Sequence, residues 1–129
     1  MSTAGYSGTP LAQKLGIKPG GRLLVLGAPD TFELDAPRAR GNKPFDVAVV
    51  FVHAKAEVKR RFEEVSPRMT QEGGLWFAWP KKASQIPTDV TENVLRDVIL
   101  PTGWVDNKVC AIDDRYSGLR FVLRKEHRK

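Results

Sequence analysis

The stretch PFDVAVVFV, residues 44–52, decides the fold class of this chain. Its last six residues are all apolar, and four of them are valines, a β-branched type that favours strands. Because no polar residue alternates with them, both faces of the strand must be covered, as in a parallel strand inside an α/β sheet. Similar runs occur before and after it, LLVL at 23–26 and LWFAW at 75–79. The sequence therefore predicts at least three buried strands.

The segments around these runs carry helix signals. The Thr9-Pro10 pair predicts a short N-terminal helix, because Thr can cap free amides and Pro fits the first helical position. Apolar residues spaced by four and three predict an amphipathic helix after the second run; they are Val58, Phe62 and Val65. A third helix is predicted after the third run, with Thr88-Asp89 as its N-terminal cap.

The remaining segments predict strands and a connection. Two prolines and a glycine, Pro37, Gly41 and Pro44, limit any helix between residues 30 and 44, so we expect an exposed connection there. Two final strands are predicted at 107–112 and 119–123. The six residues between them, 113–118, are rich in turn formers, which favours an antiparallel pair.

The predicted order is helix, strand, connection, strand, helix, strand, helix, strand, strand. Strands separated by helical crossovers require a mostly parallel sheet with helices on its faces. We expect one Rossmann-like three-layer α/β domain over residues 1–129, with five strands and an antiparallel last strand. A length of 129 residues is ordinary for a single domain.

The charge of the chain is basic, with a formal net charge of +6. The tail at 124–129 holds four Lys/Arg and one Glu, which is half of that excess. A basic surface attracts nucleic acid, and contact would then use the tail together with Arg38, Arg40 and Lys43. A short basic tail is more often a solvated, frayed end, so nucleic-acid binding is disfavoured.

Several classes of protein are excluded by what the sequence lacks. A single cysteine, Cys110, forms no intramolecular disulfide and no thiolate metal site by itself. No signal-peptide pattern and no apolar window of membrane-spanning length occurs, so we expect a cytoplasmic protein without membrane contact. No HExxH, phosphate-binding loop, GxSxG or metal-spaced Cys/His set is present, so no metal site is expected and the cofactor is unknown.

Two resemblances to known families follow from longer patterns. The succession GIKPGGRLLVLGAP, PFDVAVVFV, QEGGLWFAWP and TGWV with a closing hairpin resembles class I methyltransferases, which also have an antiparallel last strand. That family places an acidic, glycine-rich loop after its first strand, where backbone N–H groups meet the cofactor. Here the loop is residues 27–31, GAPDT, with one glycine and a proline, and the second and third strands of the family have no counterpart before Phe45.

The second resemblance is closer and spans nearly the whole chain. The segments YSGTPLAQKLGIKPG, WPKKAS and VDNKVCAIDDRYSGLRFV look like a family of small bacterial proteins that share a domain of unknown function. The closing motif of that family usually has Trp where Tyr116 stands. This resemblance implies a fold and no activity.

Ligands of open α/β sheets bind beyond the carboxyl ends of the parallel strands. That edge is expected to collect the GAPDT loop, His53 with Lys55, the WPKKAS segment and the turn at 113–118. An aromatic ring beside two lysines can stack a ring and attract an anion. The candidate ligand-binding residues are therefore Gly27, Asp30, Thr31, His53, Trp79, Lys81, Lys82 and Ser84.

Three functions remain open at this point. The leading one is a binding module for a small anionic or nucleotide-like ligand, with WPKKAS facing GAPDT. The second is a reduced methyltransferase-like enzyme, with His53 or Asp30 transferring protons. The third is sequence-independent nucleic-acid binding. A homodimer is also predicted, because an open sheet has two edges that can pair with a second copy. Four large aromatic residues add to this expectation, since any of them that does not fit inside a small domain would favour a partner surface: Trp76, Trp79, Trp104 and Tyr116.

Overall fold

A computed structural model of the chain describes residues 10–129. Within this range one five-stranded sheet has the order β1-β2-β3-β5-β4. Its strands are β1 (Leu23–Leu26), β2 (Phe45–Phe51), β3 (Met69–Pro80), β4 (Trp104–Ala111) and β5 (Tyr116–Leu123), and the helices are α1 (Leu11–Lys14), α2 (Lys55–Val65) and α3 (Glu92–Ile99). The first three strands are parallel, and β5 is antiparallel to both β3 and β4. The expected mostly parallel sheet with an antiparallel last strand is confirmed.

The two longer helices lie on the same face of the sheet. The β2–β3 and β3–β4 crossovers move toward the same sheet edge, and right-handed connections of this kind place both helices on one side. Phe62 of α2 and Leu95 of α3 accordingly share one apolar cluster with Phe77 of the sheet. The opposite face is covered by Leu15, which follows α1, and by the apolar residues of the segment at 32–36.

The connection between β1 and β2 contains no helix, as expected. Arg22 fixes it, because its Nε and Nη2 atoms donate to the backbone oxygens of Pro44, Arg40 and Lys43 at 2.7–3.2 Å. The amide of Ala39 donates to the outer edge of β1 at 2.8 Å. The connection is therefore an ordered cover along the edge of the sheet.

The start of α3 differs from the prediction. Thr91 is its N-cap, and its hydroxyl accepts from the amide of Val94 at 3.2 Å. The predicted cap, Thr88-Asp89, binds the neighbouring segment, because the Thr88 hydroxyl donates to His53 O at 2.6 Å and the Asp89 carboxylate accepts from the Lys55 amide at 2.6 Å. A long-range contact has replaced the local cap. The other predicted cap residue, Thr9, lies outside the described residues.

Strand boundaries also differ from the prediction. β3 begins at Met69, six residues earlier than expected, because an irregularity in its pairing with β2 lets Gly73 and Gly74 continue the strand. Both strands of the final hairpin begin three residues earlier than expected, at Trp104 and Tyr116. Sheet pairing thus extends each strand beyond its apolar run.

The basic tail is docked, so the expectation of a frayed end is wrong. Residues Lys125–His127 form a 3-10 helix, and the amide of Arg124 donates to Gly103 O at 3.0 Å. Arg128 Nε donates to Leu123 O at 3.0 Å, and the Lys129 amide donates to Gln71 Oε1 at 2.6 Å. The tail lies against the sheet at the start of β3.

Candidate functional site

The topology brings the expected loops to one edge of the sheet. The loop after β1, the residues after β2 and the WPKKAS segment after β3 all follow parallel strands. The turn between β4 and β5 joins them, because the amide of Lys81 donates to Arg115 O at 2.8 Å. Within this edge, the residues separate onto two faces of the sheet.

His53 lies on the face opposite α2 and α3. It is half-buried, and its Nε2 atom is 2.7 Å from the hydroxyl of Tyr116. Burial raises the pKa of Tyr116, and the nearby Asp113 carboxylate raises it further. The sequence offered no partner for His53, whereas the structure supplies a tyrosine 63 residues away. The pair forms a polar contact beside the aromatic ring of Phe51.

The backbone amides that follow β2 are already occupied. Glu57 Oε1 accepts from the amides of His53 and Ala54 at 2.8 and 3.0 Å, and Asp89 accepts from the Lys55 amide. The His53 amide is the largest cause that holds the pKa of Glu57 below its ordinary value. Two carboxylates therefore occupy the amides of residues 53–55, and these three donors are not free for an anionic ligand.

A groove of about 450 Å³ opens on the other face, between the end of β3 and the first turn of α3. Trp79, Pro80 and Val90 form its apolar part. Trp79 is only 7% exposed, so its ring contributes to the floor and is not an open stacking platform. The remaining lining residues are polar or charged: Lys82, Thr88, Thr91, Glu92, Asn93 and Arg96.

The charges of this groove are unevenly paired. Arg96 donates to Asp106 at 3.1 Å and to Glu92 at 2.9 Å, and the hydrogen bond to Asp106 is the largest cause that raises its pKa. Lys82 is exposed and forms no ion pair with residues 10–129. In the same range, the first amides of α3, at Glu92 and Asn93, donate to no protein acceptor. The positive end of the helix and one lysine therefore face the groove together.

Two candidate residues of the WPKKAS segment shape the turn and do not line the groove. The Ser84 hydroxyl donates to Lys81 O at 2.6 Å and accepts from the Ile86 amide at 3.2 Å. Lys81 is absent from the lining, while Lys82 contributes to it. Of the candidate residues, the structure therefore brings Trp79 and Lys82 together in the groove.

The loop after β1 contributes nothing to this groove; Gly27, Asp30 and Thr31 lie elsewhere on the edge. Gly27 has a φ of +72°, and a Cβ built on it would lie 2.9 Å from Phe51 O. This glycine therefore serves the close approach of β1 to β2. Pro29 has no N–H to offer, and within residues 10–129 no strand lies on the far side of β1. The loop does not fit the cofactor contacts that the glycine-rich loop of class I methyltransferases makes.

Sequence reasoning missed most of the polar lining. Thr91, Asn93 and Arg96 belong to the first turns of α3, and the one available signal was the Thr88-Asp89 helix start, which lies three residues too early. Within residues 10–129, no three His, Cys, Asp or Glu side chains converge on a common metal position. No helix in that range has the length and apolar character to cross a membrane.

Solved structures of other proteins share the fold. The chain is similar to the ribosomal protein L11 methylase of Lactobacillus delbrueckii subsp. bulgaricus, with a TM-score of 0.56 and 8% identity over 88% of this chain and 75% of that chain. It is also similar to LepI, solved in complex with SAM, with a TM-score of 0.53 and 10% identity over 88% of this chain and 39% of LepI. This chain thus spans about two fifths of the length of LepI.

Neither a protein-family model nor a curated protein matches the chain. The resemblance to small bacterial proteins of unknown function therefore stays a prediction. Identities of 8–10% establish a common fold and nothing about activity. On that basis, this chain has a mixed α/β fold like that of the L11 methylase and of LepI.

Proposed function

We propose that this chain binds a small anionic, nucleotide-like ligand in the groove between β3 and α3. The observation that carries the proposal is the groove itself, with an apolar floor at Trp79 and with donors at Lys82 and the start of α3 that have no acceptor among residues 10–129. Its volume of about 450 Å³ suits a small metabolite. Amides at a helix N-terminus and a lysine together favour a phosphate group.

The apolar part and the charged part of the groove would each contact a different part of the ligand. Its apolar or ring portion lies against Trp79, Pro80 and Val90, where contact removes apolar surface from water. Its anionic portion lies toward Lys82 and the amides of Glu92 and Asn93. The Glu92 carboxylate already accepts from Arg96, so its charge is partly neutralised and repels an anion less.

A matched pair of lysine variants tests this proposal. Calorimetry and thermal shifts with adenosine monophosphate and a panel of nucleotides and metabolites should identify a ligand of the unchanged protein. Lys82→Ala should then weaken its binding about tenfold, roughly 1.4 kcal/mol. Lys81→Ala removes the same charge one residue away, outside the groove, and should leave the affinity within about twofold. Equal losses in the two variants, or no ligand for the unchanged protein, would contradict the proposal.

A reduced methyltransferase-like enzyme is the second candidate. It is favoured by the similarity of the fold and by the hydrogen bond between His53 and Tyr116, which places a titratable side chain at the strand edge. S-adenosylmethionine would have to bind without the glycine-rich loop contacts that residues 27–31 lack. Calorimetry with this cofactor decides between the candidates, because an enzyme of this class requires saturable binding and a flat titration removes the second candidate.

A further inference from the structure

A second groove of about 380 Å³ lies at the opposite, amino-terminal edge of the sheet, and Arg120 of β5 lines it. The Arg120 guanidinium lies across the backbone of Gly74, where a Cβ would come within 2.8 Å of its Cζ atom. Any side chain at position 74 would therefore displace the guanidinium. Because Gly74 has no side chain, the guanidinium of Arg120 packs directly on its backbone, and Arg120 is half-buried there.

The charge of Arg120 is not balanced by a carboxylate in the part of the chain that the structure describes. Within residues 10–129, its guanidinium has no carboxylate within 4.0 Å and donates to no protein acceptor. Burial lowers its pKa, and the neighbouring Arg128 lowers it further, yet an arginine stays protonated at neutral pH. A partly desolvated charge without a partner is unfavourable unless a counter-ion joins it.

The surrounding charges favour an anion as that counter-ion. The loop at 16–22, GIKPGGR, walls the groove and brings Lys18 to its lining. Two carboxylates also line it: Asp46, whose Oδ2 accepts from the Arg22 amide at 2.8 Å, and the exposed Glu72. Arg128 adds a further positive charge beside Arg120. The cations at this edge therefore exceed the carboxylates that oppose them.

We propose that this groove binds a small oxyanion of the phosphate or phosphate-monoester class, with Arg120 as its main ligand and Lys18 as the second cation. A guanidinium donates two parallel hydrogen bonds to such an oxyanion, which is the geometry that Arg binds best. The site lies at the edge of the sheet opposite the β3–α3 groove. This proposal can therefore be confirmed or overturned without affecting the function proposed above.

Titration with inorganic phosphate at constant ionic strength, with chloride as the balancing anion, tests the site. Phosphate should raise the melting temperature of the unchanged protein, and glycerol phosphate tests whether an ester is accepted. Arg120→Gln should weaken phosphate binding at least tenfold. The control Arg115→Gln removes an exposed arginine from the β4–β5 turn and should leave binding unchanged. No stabilisation by phosphate, or equal losses in the two variants, overturns the proposal.

NMR spectroscopy of the unchanged protein tests the site even if Arg120→Gln does not fold. Phosphate should shift the amide resonances of Gly73 and Gly74 in the unchanged protein, and in Lys82→Ala as well. Shifts confined to Glu92 and Asn93 would place phosphate in the β3–α3 groove and overturn this site while supporting the other. Gly74→Ala keeps the charge of Arg120 but displaces its guanidinium, so it should also lose phosphate affinity; unchanged affinity would overturn the proposed geometry.

Discussion

At the scale of single residues, the partner of each charged side chain decides what that side chain can do. Lys81 and Lys82 are adjacent and chemically identical, yet only Lys82 lines the groove beside Trp79. Arg96 lines the same groove, but two carboxylates hold it. Arg120 has no such partner among the described residues. The proposed anion sites therefore rest on Lys82 and Arg120, which form no ion pair with residues 10–129, rather than on the total charge.

Glu57 provides a pH-dependent test at this scale. Its folded pKa lies below the ordinary glutamate value of about 4.3, because backbone amides donate to its carboxylate. The unfolded chain therefore binds a proton more readily, and the stabilisation, full above pH 4.3, is lost as pH falls through the folded pKa. Urea unfolding should show a larger stability advantage of the wild type over Glu57→Gln at pH 7 than at pH 3.

The control for this experiment is Glu63→Gln on the exposed face of α2. Glu63 accepts no hydrogen bond from residues 10–129 in the structure. Its substitution should change the free energy of unfolding little and without a comparable dependence on pH. A similar pH dependence in the two variants would contradict the role assigned to the Glu57 carboxylate.

At the scale of elements, α3 connects stability to the proposed site. Its cap, Thr91, lies in the groove lining, and its buried residues Leu95 and Ile99 pack on the sheet. The helix is only eight residues long, so packing and capping stabilise it more than intrinsic propensity does. The amides that we assign to the ligand are thus oriented by the same turn that Thr91 caps.

Thr91→Ala tests this coupling. Loss of the hydroxyl that accepts from the Val94 amide should lower the free energy of unfolding by about 1 kcal/mol, measured by urea denaturation. Thr31→Ala is the matched control, because Thr31 is exposed and lies outside any helix; its effect should stay within about 0.5 kcal/mol. If Thr91→Ala costs no more than the control, the cap assignment is wrong.

At the scale of the whole molecule, the basis for a homodimer has changed. The four aromatic residues that were expected to favour a partner surface are at most 7% exposed within one chain: Trp76, Trp79, Trp104 and Tyr116. The outer strand β4 carries an irregular pairing near Asp106 and an exposed Lys108, features that hinder strand pairing between molecules. These observations remove the argument that predicted the homodimer from the sequence, and the assembly itself is a matter for measurement.

Sedimentation velocity at micromolar concentration tests the assembly. We expect a particle with the mass of one chain, 14.4 kDa, because the aromatic residues are already buried and the sheet edges are blunted. A stable particle of twice that mass would contradict this expectation. In that case Val109→Lys should separate the dimer if β4 forms the interface, since Val109 is 55% exposed on that strand.

The sequence by itself determined the strands, the order of elements and the direction of the last strand. Apolar runs such as 47–52 encode burial on both faces, and helical periodicity between them encodes crossovers, so the sheet follows from local patterns. The tendency of ligands to bind beyond the carboxyl ends of parallel strands likewise indicated where Trp79 and Lys82 lie. These features depend on neighbours along the chain, which a sequence shows directly.

Tertiary structure alone decided which side chains are free to bind. The sequence predicts that Thr88 and Asp89 cap a helix. In the structure they contact His53 and Lys55, more than thirty residues earlier in the chain. The sequence pattern indicates only that Arg120 belongs to a strand. The packing of β5 beside Gly74 half-buries its charge, which has no partner among residues 10–129. Hydrogen bonds and ion pairs between distant residues depend on three-dimensional distance, which no local pattern of amino acids encodes.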